Sequence, residues 1–195
     1  MTGHRDTPRL GMARAVAGGR WSGLGSPWWA PPAAIALVIA TSVRFGPGAN
    51  AAAFAAVQVV LVVLAAVDLA THRLPNTITI PTSAVAIVLR AAFERSELGG
   101  AALAGAGALL AFAVLSVGLR GGLGMGDAKL AGMLGFVLGP VVVDALVIGI
   151  LAGGIASIAL LVSGRASWKS AIAYGPYLAL GGAIAILALH PHALV

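Results

Sequence analysis

The sequence contains no cysteine. Disulfides, thiolate zinc sites and a cysteine nucleophile are therefore excluded together. Charge is scarce as well: Asp, Glu, Lys and Arg make up 9% of the 195 residues, against 59% hydrophobic residues and a mean hydropathy of +1.00. A soluble domain carries about 25% charged residues, so this balance points to the membrane. Only six residues are acidic: Asp6, Asp68, Glu94, Glu97, Asp127 and Asp144. The formal charge of +6 comes from twelve Lys and Arg scattered at the ends of apolar segments. Nucleic-acid binding needs a basic surface interleaved with aromatics, and none is present. The first 27 residues lack the apolar core and cleavage site of a signal peptide, and read as a disordered basic tail carrying Arg5, Arg9, Arg14 and Arg20.

What the sequence does have is apolar runs. Seven can be drawn: Trp28–Phe45, Ala49–Val67, Thr77–Phe93, Ala101–Leu119, Ala128–Val143, Ala145–Val162 and Tyr174–Leu189. They predict an all-α, polytopic membrane protein of about seven spans, with residues 28–48 as an additional first helix. The fifth and sixth runs are separated only by Gly139, Pro140 and Asp144. One helix through both would be about 54 Å long at 1.5 Å per residue, against roughly 30 Å of hydrocarbon, so a bent pair is expected. With the N-terminus in the cytoplasm, nine of the twelve basic residues fall inside, Arg73, Arg120, Lys129, Arg165 and Lys169 among them, and Arg44, Arg90 and Arg95 fall outside. That bias fixes the predicted orientation and puts the C-terminus outside. Trp28, Trp29 and Trp168 fall near cytoplasmic boundaries as interfacial anchors. Gly105, Gly107, Gly153 and Gly154 read as small-residue packing faces, not phosphate loops.

Two of the acids stand apart. Asp6 is in the tail, Glu94 and Glu97 fall in an external loop, and Asp144 punctuates the bent pair. Asp68 closes the second run and Asp127 opens the fifth, and the orientation derived from Lys and Arg alone brings both to the cytoplasmic edge. An ionisable group at membrane depth is a functional-site candidate by default. Asp68 is followed by a short polar turn, Leu69 to Asn76, in which Pro75 holds Leu74 extended and starts the next helix. Asp127 is preceded by Gly124-Met125-Gly126, whose glycines let another peptide approach. His72 reads as a polar loop histidine. Lys129 is open to two readings, pairing with an acid or substrate, or reaching past the apolar region to water. His190 and His192 show no ligand set for zinc.

Three stretches together resemble the type IV prepilin peptidases and the related preflagellin peptidases. The Asp68–Asn76 segment is similar to that family's Asp followed by an aliphatic-Pro-Asn turn. Gly124-Met125-Gly126-Asp127-Ala128-Lys129-Leu130 looks like its GxGD motif. Ala173-Tyr174-Gly175-Pro176-Tyr177 is similar to the aromatic-Gly-Pro-aromatic opening of its final helix. The resemblance implies a membrane domain over residues 49–190 of GxGD-type aspartic protease architecture. Asp68 and Asp127 would be the catalytic pair, supported by Pro75, Asn76, Gly124, Gly126, Lys129, Gly175 and Pro176, with no metal or cofactor. It further implies cleavage of the short basic leader of a pilin-like precursor at the cytoplasmic face of the cell membrane. The long members carry an N-terminal cytosolic region, often with paired cysteines, associated with methyl transfer; with neither here, peptidase activity alone is expected. The Tyr-Asp and Pro-Ala-Leu motifs of signal-peptide peptidases and presenilins are missing.

The competing class is a non-catalytic transporter or pilus-assembly scaffold whose aspartates conduct protons or face water. A proton path tends to spread acids through the bilayer, whereas both aspartates here fall at one face. Helix direction suggests unequal roles for the pair. Asp127, at the start of its helix, would be the ionised base, and Asp68, at the end of its own, the proton donor.

Overall fold

The computed structural model describes residues 27–118, 124–164, 174–189, 191 and 193–195. The basic tail before Pro27 lies outside them, as do Arg120, Arg165, Trp168, Lys169, Ala173, His190 and His192. The described residues form seven α-helices: α1 (Ala30–Phe45), α2 (Ala49–Thr71), α3 (Asn76–Phe93), α4 (Arg95–Gly118), α5 (Met125–Leu138), α6 (Val142–Val162) and α7 (Gly175–Ala188). A single 3-10 turn, Gly139–Val141, joins α5 to α6.

Several boundaries depart from the sequence expectation. The bend between the fifth and sixth runs falls at Gly139, whose φ of +62° suits glycine. Asp144 is therefore not at the bend but in the first turn of α6. The loop drawn around Glu94 and Glu97 shrinks to Glu94 alone, since α4 starts at Arg95 and carries Glu97 in its first turn. Seven independent spans are not established either. Among the described residues, four stretches are long and apolar enough to cross a membrane: Ala49–Thr71, Asn76–Phe93, Arg95–Gly118 and the 38 residues of Met125–Val162 taken together. Helices α1 and α7, at 16 and 14 residues, fall short of the roughly 20 residues that a full crossing needs.

Local chemistry explains where helices start. Prolines occupy the first turns of α1 and α7, where the missing N–H has no partner to lose. Pro75 is extended at ψ 124° and sets the direction of α3. Within the helices, hydroxyls bond back to their own turn: Thr41 to the Leu37 carbonyl at 2.7 Å, Thr82 to Ile78 at 2.8 Å and Ser83 to Thr79 at 2.9 Å. Polar side chains are thereby satisfied where water is scarce.

Helix α5 is the innermost, with Leu130, Met133, Leu134 and Leu138 fully buried against α4, α3 and α7. Lipid is as apolar as leucine, so helix association rests on close packing at small residues. At the crossing of α4 and α5, a Cβ on Gly135 would lie 2.5 Å from the Gly105 Cα, and one on Gly132 2.9 Å from the Leu109 Cβ. Between α6 and α7, a Cβ on Gly149 would lie 2.9 Å from the Tyr177 carbonyl. Gly107 and Gly154, by contrast, face open space. The outward residues, among them Val43, Leu103, Val117 and Val162, are exposed and apolar, as a lipid-facing surface requires.

Polar side chains tie the ends together. Arg90 is fully buried in α3 and donates to the last carbonyls of α5, from Nη2 to Val137 at 2.8 Å and from Nε to Phe136 at 3.3 Å. A cation at a helix C-terminus is favourable, which accounts for one of the three basic residues that the charge bias placed outside. Arg44 at the end of α1 donates to the Leu187 carbonyl near the end of α7 at 3.0 Å. At the start of α2, Asn50 accepts from the N–H groups of Leu194 and Val195. These three ends therefore share one face of the bundle, opposite the ends where Asp68 and Gly175 meet.

Candidate active site

Asp68 lies in the last turn of α2 and is buried, 5% exposed. The helix ends at His72, which takes a left-handed conformation at φ 50° and donates its N–H to the Asp68 carbonyl at 2.8 Å. That reversal sends Arg73 and Leu74 away from the helix axis and into the extended Pro75. His72, read in the sequence as a polar loop residue, is thus also the hinge of the turn. It lines the cleft.

Asp127 is the third residue of α5 and is 7% exposed. Its Oδ2 accepts the N–H of Gly124, the N-cap residue, at 3.0 Å. Gly126 abuts the other motif: a Cβ there would lie 3.1 Å from that of Leu74. The Gly-x-Gly before the acid thus serves two ends, an N–H for the carboxylate and room for the turn that follows Asp68.

The two carboxylates meet in one cleft of about 360 Å³, which is also lined by Arg73, Asn76 and Lys129. Where two carboxylates line one cleft, ionising one opposes ionising the other. Lys129 donates to Asn76 Oδ1 at 2.9 Å, so its partner is neither of the two aspartates.

The third motif comes to the same place. The N–H of Gly175, first residue of α7, donates to Asp68 Oδ2 at 3.1 Å. Pro176 follows in the first turn of α7 and lines a separate apolar cavity of about 210 Å³ between α1, α2 and α7. Tyr174 donates to the Ile150 carbonyl at 3.1 Å and lies against Gly153, where a Cβ would meet its ring at 2.9 Å. This arrangement changes the argument from helix direction. Asp68 ends its own helix, but its oxygen sits at the N-terminus of α7, so each carboxylate accepts one N–H from a helix start. Helix ends therefore do not separate base from acid.

The other acids among the described residues lie away from the cleft. Asp144 comes after the C-terminal end of α5, which itself rises about 16 Å beyond Asp127 at 1.5 Å per residue. Glu94 and Glu97 lie beyond the far end of α3. Sequence reasoning missed Arg90 as a helix cap, treating it only as a topological charge, and missed the Gly175 N–H as a partner of Asp68. The first leaves no pattern in sequence; the second is a contact across 107 residues.

Fold and cleft together define a class: an all-helical membrane protein with two buried carboxylates lining one cleft at one end of the bundle. Residues 55–162, which contain both aspartates, match the model of the type IV leader peptidase family, and the chain belongs to that family. It is 30% identical over 154 residues to a prepilin leader peptidase/N-methyltransferase of Burkholderia pseudomallei (strain 1026b), covering 76% of this chain and 50% of that protein. It is 27% identical over 152 residues to the Bacillus subtilis (strain 168) protein of the same name, covering 77% of this chain and 61% of that protein. The chain thus spans about half to three-fifths of the length of these relatives. No solved structure matches it.

Proposed function

We propose that this protein is an aspartic endopeptidase that removes the short basic leader of a pilin-like precursor, with Asp68 and Asp127 as its catalytic pair. The observation that carries the reading is the meeting of these two buried carboxylates in one cleft, each with an oxygen fixed by a backbone N–H. One carboxylate of such a pair draws a proton from water, and the other, protonated, donates to the scissile carbonyl oxygen. The water oxygen then bonds to the carbonyl carbon; on collapse of the tetrahedral diol the carboxyl that took the water proton gives it to the leaving nitrogen, the C–N bond breaks, and a diol hydroxyl returns its proton to the other carboxylate. Backbone N–H groups hold the acids without neutralising them, which preorganises the site for the charge that moves in the reaction.

The same geometry supports a location. The cleft lies at the end of the bundle where α2 finishes and α3, α5 and α7 begin. With Arg73 and Lys129 at this end and Arg44, Arg90 and Arg95 at the other, the charge bias supports a cytoplasmic active site in the cell membrane. A precursor whose cleaved bond directly precedes an apolar helix would present that bond at this level. Within residues 28–48, helix α1 packs on α2 and α7, and none of these residues lines the cleft.

The test is direct. Purified protein in detergent or vesicles is incubated with a synthetic precursor, a short basic leader ending in Gly followed by an apolar helix, and the products are weighed by mass spectrometry. A single cut before the apolar helix supports the reading, and an intact precursor refutes it.

A further inference from the structure

The position of Asp68 relative to Asp127 is not fixed by their own helices. Helix α2 packs on α1 and α7, while α5 packs chiefly on α4 and α3, and α2 makes little contact with α3 although the two are joined by a short turn. Asp68 is held to α7 by Gly175, and α7 packs on α5 in turn, but the turn after Asp68 also meets α5 directly. Two contacts lie side by side there. Leu74, buried, lies on Gly126, and Asn76 Oδ1 accepts the Lys129 ammonium at 2.9 Å. Asn76 opens α3 directly after the turn, and Lys129 lies two residues beyond Asp127.

We propose that Lys129 is a positioning residue: its bond to Asn76, beside the Leu74–Gly126 contact, clamps the turn after Asp68 onto the first turn of α5 and sets the spacing of the two carboxylates. The proposal rests on the peptidase reading and adds a residue that acts through others. A long ammonium side chain suits the task because it spans two helix starts and tolerates small shifts between them, whereas an apolar residue at this polar rim would make no bond to the amide. Loss of the clamp lets the carboxylates drift, and displacement of about 1 Å at a catalytic group lowers a rate by up to 10²-fold.

The absence of native cysteine makes a decisive experiment available. Lys129→Met and Asn76→Leu should each lower kcat about tenfold with KM within twofold, and the double variant should be no worse than either. Lys129→Arg and Asn76→Asp, which keep a donor and an acceptor, should recover most of the rate. In the double variant Asn76→Cys, Lys129→Cys, a short bis-thiol-reactive linker should join the two positions and raise kcat back toward the wild-type value. The proposal is overturned by a wild-type kcat in Lys129→Met, by an effect confined to KM, or by a linked protein as slow as the unlinked one. Linker yield, read by mass, judges the clamp separately from activity: a pair that cannot be joined refutes it even if cleavage is normal. A wild-type protein that cleaves no precursor overturns the peptidase reading itself.

Discussion

Gly175 and Asp68, 107 positions apart, are in such close contact that a Cβ on the glycine would lie 2.6 Å from Asp68 Oδ2. The last helix thus closes on the second through a glycine whose N–H serves a candidate catalytic group. Gly175→Ala would drive a methyl into the Asp68 carboxyl group, which must shift from its bond to the Gly175 N–H. Losing a hydrogen bond to a charged group costs about 1.5 to 3 kcal/mol, so cleavage should slow by roughly 10- to 100-fold at tenfold per 1.36 kcal/mol. Gly154→Ala, with open space around it, should cleave as the parent does, measured on the same precursor.

The crossing of α4 and α5 predicts a second glycine effect, on stability and not on chemistry. A methyl at Gly135 meets the Gly105 Cα and the Ala104 carbonyl, both backbone. Overpacking of this kind costs about 1 to 3 kcal/mol. Gly135→Ala should therefore lower the midpoint of thermal unfolding in detergent, while Gly107→Ala, which meets nothing within 4 Å, leaves it unchanged.

Arg90 provides a third expectation. Truncation to Ala would leave the Phe136 and Val137 carbonyls at the end of α5 without the donors they now have. Each buried acceptor left unsatisfied costs about 1 to 3 kcal/mol. Arg90→Ala should fold poorly or melt early, and Arg90→Lys should recover part of the loss, since an ammonium supplies a donor but not the planar fork.

Much of this molecule was legible in its sequence because membrane helices are written as long apolar runs, and because a scarce charge in such a chain is conspicuous. Asp68 and Asp127 stood out for that reason, and the structure brings both to one cleft. What the sequence did not disclose was contact between distant positions. That Asp68 lies at the start of α7 as well as the end of α2, that Lys129 reaches Asn76, and that Arg90 caps α5 all depend on which helices pack together, and apolar periodicity in a membrane helix says little about neighbours. The bend at Gly139 was placed too late in sequence because Asp144 attracted the boundary; a left-handed glycine followed by proline breaks a helix more effectively than an acid does.

Orientation has its own test. Arg44, at the end of α1, meets the carbonyl of Leu187, and Asn50, at the start of α2, meets Leu194 and Val195, so the C-terminal residues lie at the end of the bundle away from the cleft. A reporter fused after Val195 should read external and one fused within the first 27 residues cytoplasmic. Identical readings at both ends would contradict the proposed orientation.

The central claim is that Asp68 and Asp127 act as a pair, and the most direct measurement is precursor cleavage by Asp68→Asn and Asp127→Asn, each expressed with a candidate precursor and followed by gel mobility. Both variants should insert and fold as the parent does, because asparagine keeps an oxygen to accept the N–H of Gly175 or Gly124, yet neither should yield mature product. Asp144→Asn, at the far end of α5, should cleave normally. Near-normal processing by either Asp68→Asn or Asp127→Asn would contradict the paired-carboxylate account.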